Sequence, residues 1–155
     1  MKRSAGFSRC KQYRYWLKRE WNLELPQCVF ICLNPSTADA STDDPTLRRI
    51  VHFASDWGYG SVVVVNLFAF RASDPRRLWL TEDPVGPRNN FWLRKHTKGA
   101  QLVVAAWGNF GGKHQRSRWL MNNITVDLYC LGTTKLGHPR HPLYAPRTTE
   151  VCFLR

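Results

Sequence analysis

Ser61-Val62-Val63-Val64-Val65-Asn66-Leu67-Phe68-Ala69-Phe70 is the stretch that decides the fold. Four successive β-branched residues favour a strand. A strand without polar alternation buries both its faces, as in a parallel sheet covered by helices. Three more runs have this character: Gln27–Leu33, Ala100–Trp107 and Val126–Gly132. Helical patterns lie between them. Asp44 is a good N-cap, Pro45 suits the first helical position, and Leu47, Ile50, Val51, Ala54 and Trp57 follow at helical spacing before Gly58 and Gly60. A second helix is predicted after Pro87 to about Lys98, with Trp92, Leu93 and His96 inward, and a third over Lys113–Asn122, burying Trp119 and Leu120. Strand–helix alternation at this spacing predicts an α/β three-layer sandwich around a mostly parallel four-stranded sheet. The alternating Tyr13-Arg14-Tyr15-Trp16-Leu17 predicts an edge strand or hairpin ahead of it.

A length of 155 residues predicts one domain spanning residues 1–155. The net charge is +12, from 23 Lys and Arg against 11 Asp and Glu. It is unevenly spread. Residues 1–20 hold 7 basic and 1 acidic side chains, residues 84–155 hold 11 and 2, and residues 21–83 hold 5 and 8. This pattern points to a polyanion partner or to a basic solvated surface. No apolar run approaches the roughly 18 residues of a membrane span, and no apolar segment follows Met1-Lys2-Arg3. The five Cys are odd in number and three lie in apolar runs, which reads as reduced thiols in a cytoplasmic protein. Cys28 and Cys32 lack a partner pair at metal-binding spacing, and neither metal nor cofactor is expected.

Ligands of such folds bind beyond the carboxyl ends of the strands. After the first strand come Asn34, Pro35 and Ser36, where Asn34 either ends the strand in a turn or offers its amide to a ligand. Asp39 and Asp43 are free to orient water, while Asp44 is the helix cap. Asn66 closes the second strand, and an amide buried there needs a partner, in the loop or on a ligand. Phe68 and Phe70 are core residues or stacking platforms. After the third strand, Trp107-Gly108-Asn109-Phe110-Gly111-Gly112-Lys113 permits a phosphodiester backbone to approach closely. It is not a Walker loop. After the fourth, His138-Pro139-Arg140-His141-Pro142-Leu143-Tyr144 forms a stiff cationic loop, in which an imidazole can stabilise a leaving group.

Together with Asp43-Asp44-Pro45-Thr46, Trp57-Gly58-Tyr59-Gly60 and Ala105-Ala106-Trp107-Gly108, these segments resemble a bacterial and phage family known as a domain of unknown function, from about Tyr13 to Pro146. Their order is also similar to the uracil-DNA glycosylase superfamily. Asn34-Pro35-Ser36 stands where that superfamily has an Asn-Pro motif, with Ser36 in place of Gly or Tyr. Val64-Val65-Asn66 matches its base-reading strand, Trp107-Gly108 a later strand end, and His138-Pro139-Arg140-His141-Pro142-Leu143 its last motif, with Arg140 in place of Ser and a second His.

The resemblance implies a uracil-DNA-glycosylase-like fold and a monomer acting on DNA, duplex or single-stranded, by hydrolysing the bond to a flipped uracil-like or modified base. Asn34, with Asp39 or Asp43, positions the attacking water. His138 or His141 stabilises the departing base. Asn66 reads the base edge, with Pro35, Ser36 and a stacking Phe68 or Phe70 around it. Arg71, Trp107, Gly108, Asn109, Lys113, Lys135 and Arg140 hold the DNA, and Leu143 or Tyr144 fills the gap left by the base. The alternatives are a non-catalytic nucleic-acid-binding module of the same fold, and a hydrolase or transferase of free nucleotides or nucleosides.

Overall fold

Each apolar run becomes a strand whose alternate residues enter different cores. In β3 (Gln27–Cys32), Cys28, Phe30 and Cys32 face one core, and Val29 and Ile31 the other. β4 (Ser61–Asn66) divides likewise, Val62 and Val64 against Val63 and Val65. The first core is closed by Leu47, Ile50, Phe53 and Ala54 of α1 (Pro45–Asp56). The second is closed by Leu93 of α2 (Asn89–Thr97) and Leu120 of α3 (Arg116–Asn123). The result, a computed structural model describing residues 1–155, is an α/β fold of three layers. Each large side chain buried in this way contributes about 1.5–3 kcal/mol. No helix is long and apolar enough to cross a membrane.

The sheet is larger and more mixed than the four-stranded, mostly parallel one expected. It has seven strands, in the order β1-β2-β4-β3-β5-β6-β7. β4, β3, β5 (Val103–Ala105) and β6 (Tyr129–Cys130) are parallel, and they are the four runs read from the sequence. The N-terminal hairpin of β1 (Lys2–Phe7) and β2 (Arg14–Glu20) continues the sheet, β2 lying antiparallel on β4. At the other edge β7 (Cys152–Phe153) pairs antiparallel with β6. β7 is exposed and two residues long, within an apolar run of only four, Val151–Leu154, and β1 is an edge strand of mixed polarity. Both are held mainly by backbone pairing, with Ala5 of β1 against the first core and Phe153 of β7 edge-on to Tyr129.

Helix α1 begins as its sequence dictates. Asp44 Oδ1 accepts a hydrogen bond from the Leu47 amide at 2.8 Å, Pro45 occupies the first turn, and Gly58 takes φ +89° just past the end. α2 starts two residues after Pro87, and its Leu93 is buried while Trp92 and His96 are half-buried. The third helix is shorter than expected. His114 and Gln115 adopt left-handed backbone (φ 51° and 54°), so a separate turn over Lys113–Gln115 precedes α3. Cys28, Cys32 and Cys130 are buried, Cys10 and Cys152 exposed, and all five are free thiols.

β2 also holds the long loop between β3 and α1. Arg19, fully buried, donates from Nε to Asp43 Oδ1 at 2.9 Å, from Nη2 to Asp39 O at 2.6 Å and Thr42 O at 3.3 Å, and from Nη1 to Lys18 O at 3.0 Å. Asp39 Oδ1 in turn accepts from the amides of Ser41 and Thr42. Removing the carboxylate strands a buried cation. Asp43→Ala is therefore expected to lower unfolding free energy by about 3 kcal/mol, measured by urea denaturation, with little change in slope.

Candidate functional site

The chain leaves β3 toward β4 on one side and later returns to β5 on the other. The carboxyl ends of strands at such a reversal frame a crevice. A cavity of about 510 Å³ opens there on the α1 side, large enough for a nucleobase with its substituents. Its wall draws on Asn34 after β3, Asn66 at the end of β4, Trp107–Phe110 after β5, the start of α1, and the turn at His141–Tyr144.

Asn66 continues the series Val62, Val64 and so lies on the α1 face. It is 1% exposed, and neither Nδ2 nor Oδ1 has a hydrogen-bond partner. A buried amide left unpaired costs roughly 1–3 kcal/mol, so a donor and an acceptor stand ready for a ligand edge that offers the complement. Trp107 borders the same wall, but its ring is buried in the opposite core, its Nε1–H without a partner. Its ring packs against Gly111, where a Cβ would collide with it, and Gly108 takes φ +74° as its amide donates to Pro139 O at 2.8 Å. Two of the three loop glycines thus serve the loop's own packing; Gly112 alone faces open space.

Asn34 is clamped. Its Nδ2 donates to Pro35 O at 3.0 Å and to Ala72 O at 2.8 Å, which uses both amide hydrogens and leaves Oδ1 as a fixed acceptor. Of the two histidines, His141 lies in the cavity wall and His138 does not. His141 Nδ1 accepts from the Leu143 amide at 3.1 Å, so the neutral ring carries its proton on Nε2. Burial holds its pKa below the ordinary histidine value, with Asp44 pulling weakly the other way. His138 packs in the Thr133–Pro139 turn, its amide donating to Thr134 Oγ1. Thr134 ties that turn to the loop after β5 through Asn109 Oδ1 at 2.7 Å.

The remaining expected residues divide. Ser36, Trp107, Gly108, Asn109, Leu143 and Tyr144 line the cavity. Asp39 and Asp43 do not; they hold the loop, and the carboxylate in the wall is Asp44, whose Oδ1 is committed to the Leu47 amide. Phe68 is fully buried in the opposite core, edge-on to Trp79 and His114, and Phe70 packs edge-on to Tyr13. Pro35 is buried behind Asn34. Arg71 lies over Phe7 and donates to Lys11 O, away from the cavity. Lys113 lies over Trp79, Lys135 is exposed at a loop tip, and Arg140 donates to Thr133 O. The wall also contains residues with no expected role: Arg14, Cys32, Thr46, Ser73 and the half-exposed Phe110. Burial pushes the Cys32 thiol up to about 12, which keeps it neutral. Arg14 had one legible signal, a cation inside the aromatic string Tyr13–Trp16. No group of three or more His, Cys, Asp or Glu is placed to hold a metal ion.

The chain belongs to the family described as protein of unknown function DUF1643, which matches residues 14–143. No curated protein and no solved structure matches it.

An unpaired buried amide is a stability cost to the free protein. Asn66→Leu, of similar volume, is expected to stabilise the free protein by about 1 kcal/mol, raising Tm by roughly 2–4 °C. Calorimetry that finds a lower Tm would show that the amide is satisfied in the unliganded chain.

Proposed function

We propose that this member of the DUF1643 family hydrolyses the N-glycosidic bond of a nucleobase in DNA, in the manner of the uracil-DNA glycosylase superfamily that its motifs resemble. The observation that carries the reading is the unpartnered amide of Asn66 in one cavity with the clamped Asn34 and the neutral His141. A lactam edge, one N–H beside one C=O, complements Asn66 in both directions. Phe110 and Tyr144, both exposed in the wall, offer aromatic faces for stacking, in place of Phe68 and Phe70.

The chemistry follows from the positions of the polar atoms. Water held by Asn34 Oδ1 attacks the sugar carbon as the carbon–nitrogen bond breaks, and the electron pair leaves on the base. His141 donates its Nε2 hydrogen bond to the charge that develops there. Asp44, with one carboxylate oxygen uncommitted, takes the proton of the attacking water. Leu143 and Tyr144 stand exposed beside the opening, Tyr144 at 81%, where an apolar wedge can replace an extruded base. Such a mouth suits a base presented by a strand better than a free nucleoside, and the +12 charge favours a polyanion.

The test is base release, followed by mass spectrometry on DNAs carrying uracil and phage-type modified bases. Asn34→Ala and His141→Ala are each expected to slow release about a hundredfold or more with DNA affinity retained, while His138→Ala stays within about threefold of wild type. Release that survives both substitutions would overturn the mechanism, as would the absence of release from every substrate.

The pH profile provides a separate check. His141 acts as the neutral ring, and its pKa is lowered, so activity is present above that pKa and lost as pH falls through it. The acid limb of kcat/KM is expected below the ordinary histidine value of about 6.5 and should move in His141→Gln while that of His138→Ala stays in place.

A further inference from the structure

Three arginines are buried in this chain, and the fold treats one of them differently. Arg19 has a carboxylate and three backbone carbonyls. Arg116 donates from Nε to Leu67 O and from Nη2 to Asn90 Oδ1, both at 2.9 Å, and lies over the Trp119 ring at 4.5 Å. Arg14, 4% exposed, has a single acceptor, Ala38 O at 2.8 Å. Its Nε is buried without a partner, and it forms no ion pair. Of the three it alone lines the cavity.

Its place in the sheet is fixed by pairing. β2 runs antiparallel to β4 with Leu17 opposite Val64, and the Arg14 amide donates to Ala69 O at 3.0 Å. Arg14 therefore stands at the same end of the sheet as Asn66. Burial lowers its pKa to about 10, with Asp44 opposing, so it remains a cation at neutral pH. A buried guanidinium without a counter-ion is costly, and its planar fork matches carboxylate and phosphate oxygens. Ser36, Thr46 and Ser73 bring hydroxyls to the same wall.

We propose that Arg14 seats an anionic group of the ligand, a carboxylate or a phosphate, beside the edge that Asn66 reads. The preferred ligand is then a nucleobase compound with a negative charge, rather than a plain neutral base. The nucleobase half rests on the function proposed above. The anion half rests on Arg14 alone.

Isothermal titration of the full chain with uracil, uracil-5-carboxylic acid, deoxyuridine 5′-monophosphate and inorganic phosphate tests it without turnover. At least one anionic probe is expected to bind roughly tenfold or more tighter than uracil. A preference for the carboxylate assigns the charge to the base, and a preference for the phosphates assigns it to the nucleotide backbone. Arg14→Gln should abolish the preference, Arg14→Lys should keep it weakened, and Lys98→Gln, on the exposed surface, should leave it intact. Circular dichroism confirms that each variant is folded; if Arg14→Gln is not, Arg14→Lys decides, since unaltered discrimination there removes the role of the fork. Equal binding of uracil, a preference that persists without Arg14, or no binding of any probe overturns the proposal. Anion binding through Arg14 with no base release would overturn only the hydrolase reading. Release that is indifferent to Arg14→Gln would overturn only this one.

Discussion

Covering both faces of the central strands is the constraint from which the rest of this structure follows. Val29 and Ile31 point into one core and Cys28 and Phe30 into the other, so no side chain in the middle of β3 reaches solvent. Polar chemistry is thereby confined to where the strands stop. Asn66 marks that limit: it occupies the next position of the face that holds Val62 and Val64, but α1 no longer covers it and the cavity begins. The same interruption brings Asn34 after β3 and the Gly108–Phe110 turn after β5 to the cavity, which is why residues far apart in sequence meet at one end of the sheet.

A strand-end site needs its loops held still, and here the N-terminal hairpin does much of that. The nine residues between Asn34 and Asp44 contain no regular element, yet Arg19 binds Asp39 O, Thr42 O and Asp43, and Arg14 binds Ala38 O. β2 is thus an edge feature in sequence and a structural support in space. The contrast between its two arginines separates their work. Arg19 has all the acceptors that a buried cation requires, and Arg14 has one.

The parts of this fold legible in the sequence are those where local chemistry and tertiary burial agree. The four parallel strands and α1 announced themselves through uninterrupted apolar residues and the Asp44-Pro45 start. β7 escaped notice because the apolar run around it, Val151–Leu154, is only four residues long and its two strand residues are exposed. In the site, Asn34 and Asn66 stood out because an amide after an apolar run is conspicuous. Phe68 was harder to place. From strand parity it belongs beside Asn66, but β4 ends at Asn66 and the chain turns there, the amides of Leu67 and Phe68 bonding to Cys32 O and Leu33 O. That turn carries Phe68 into the opposite core. Similarly, His138 and His141 share a Pro-rich loop, and only the Thr133–Pro139 turn decides which ring reaches the wall. Among Asp39, Asp43 and Asp44, spacing cannot separate the two that hold the loop from the one that faces the cavity.

The cavity wall runs from Arg14 to Tyr144 and takes contributions from β2, β3, β4, α1 and the loops after β5 and β6. No single hairpin or helix contains enough of it to bind anything. Occupancy is therefore coupled to the cooperative unfolding of the whole sheet rather than to the opening of one loop. By mass action, a ligand held at a hundred times its dissociation constant adds about 2.7 kcal/mol to the stability of the entire chain. Amides at the far ends of β3 and β4, around Cys28 and Val62, are expected to exchange with solvent only through global unfolding and so to report thermodynamically on the site.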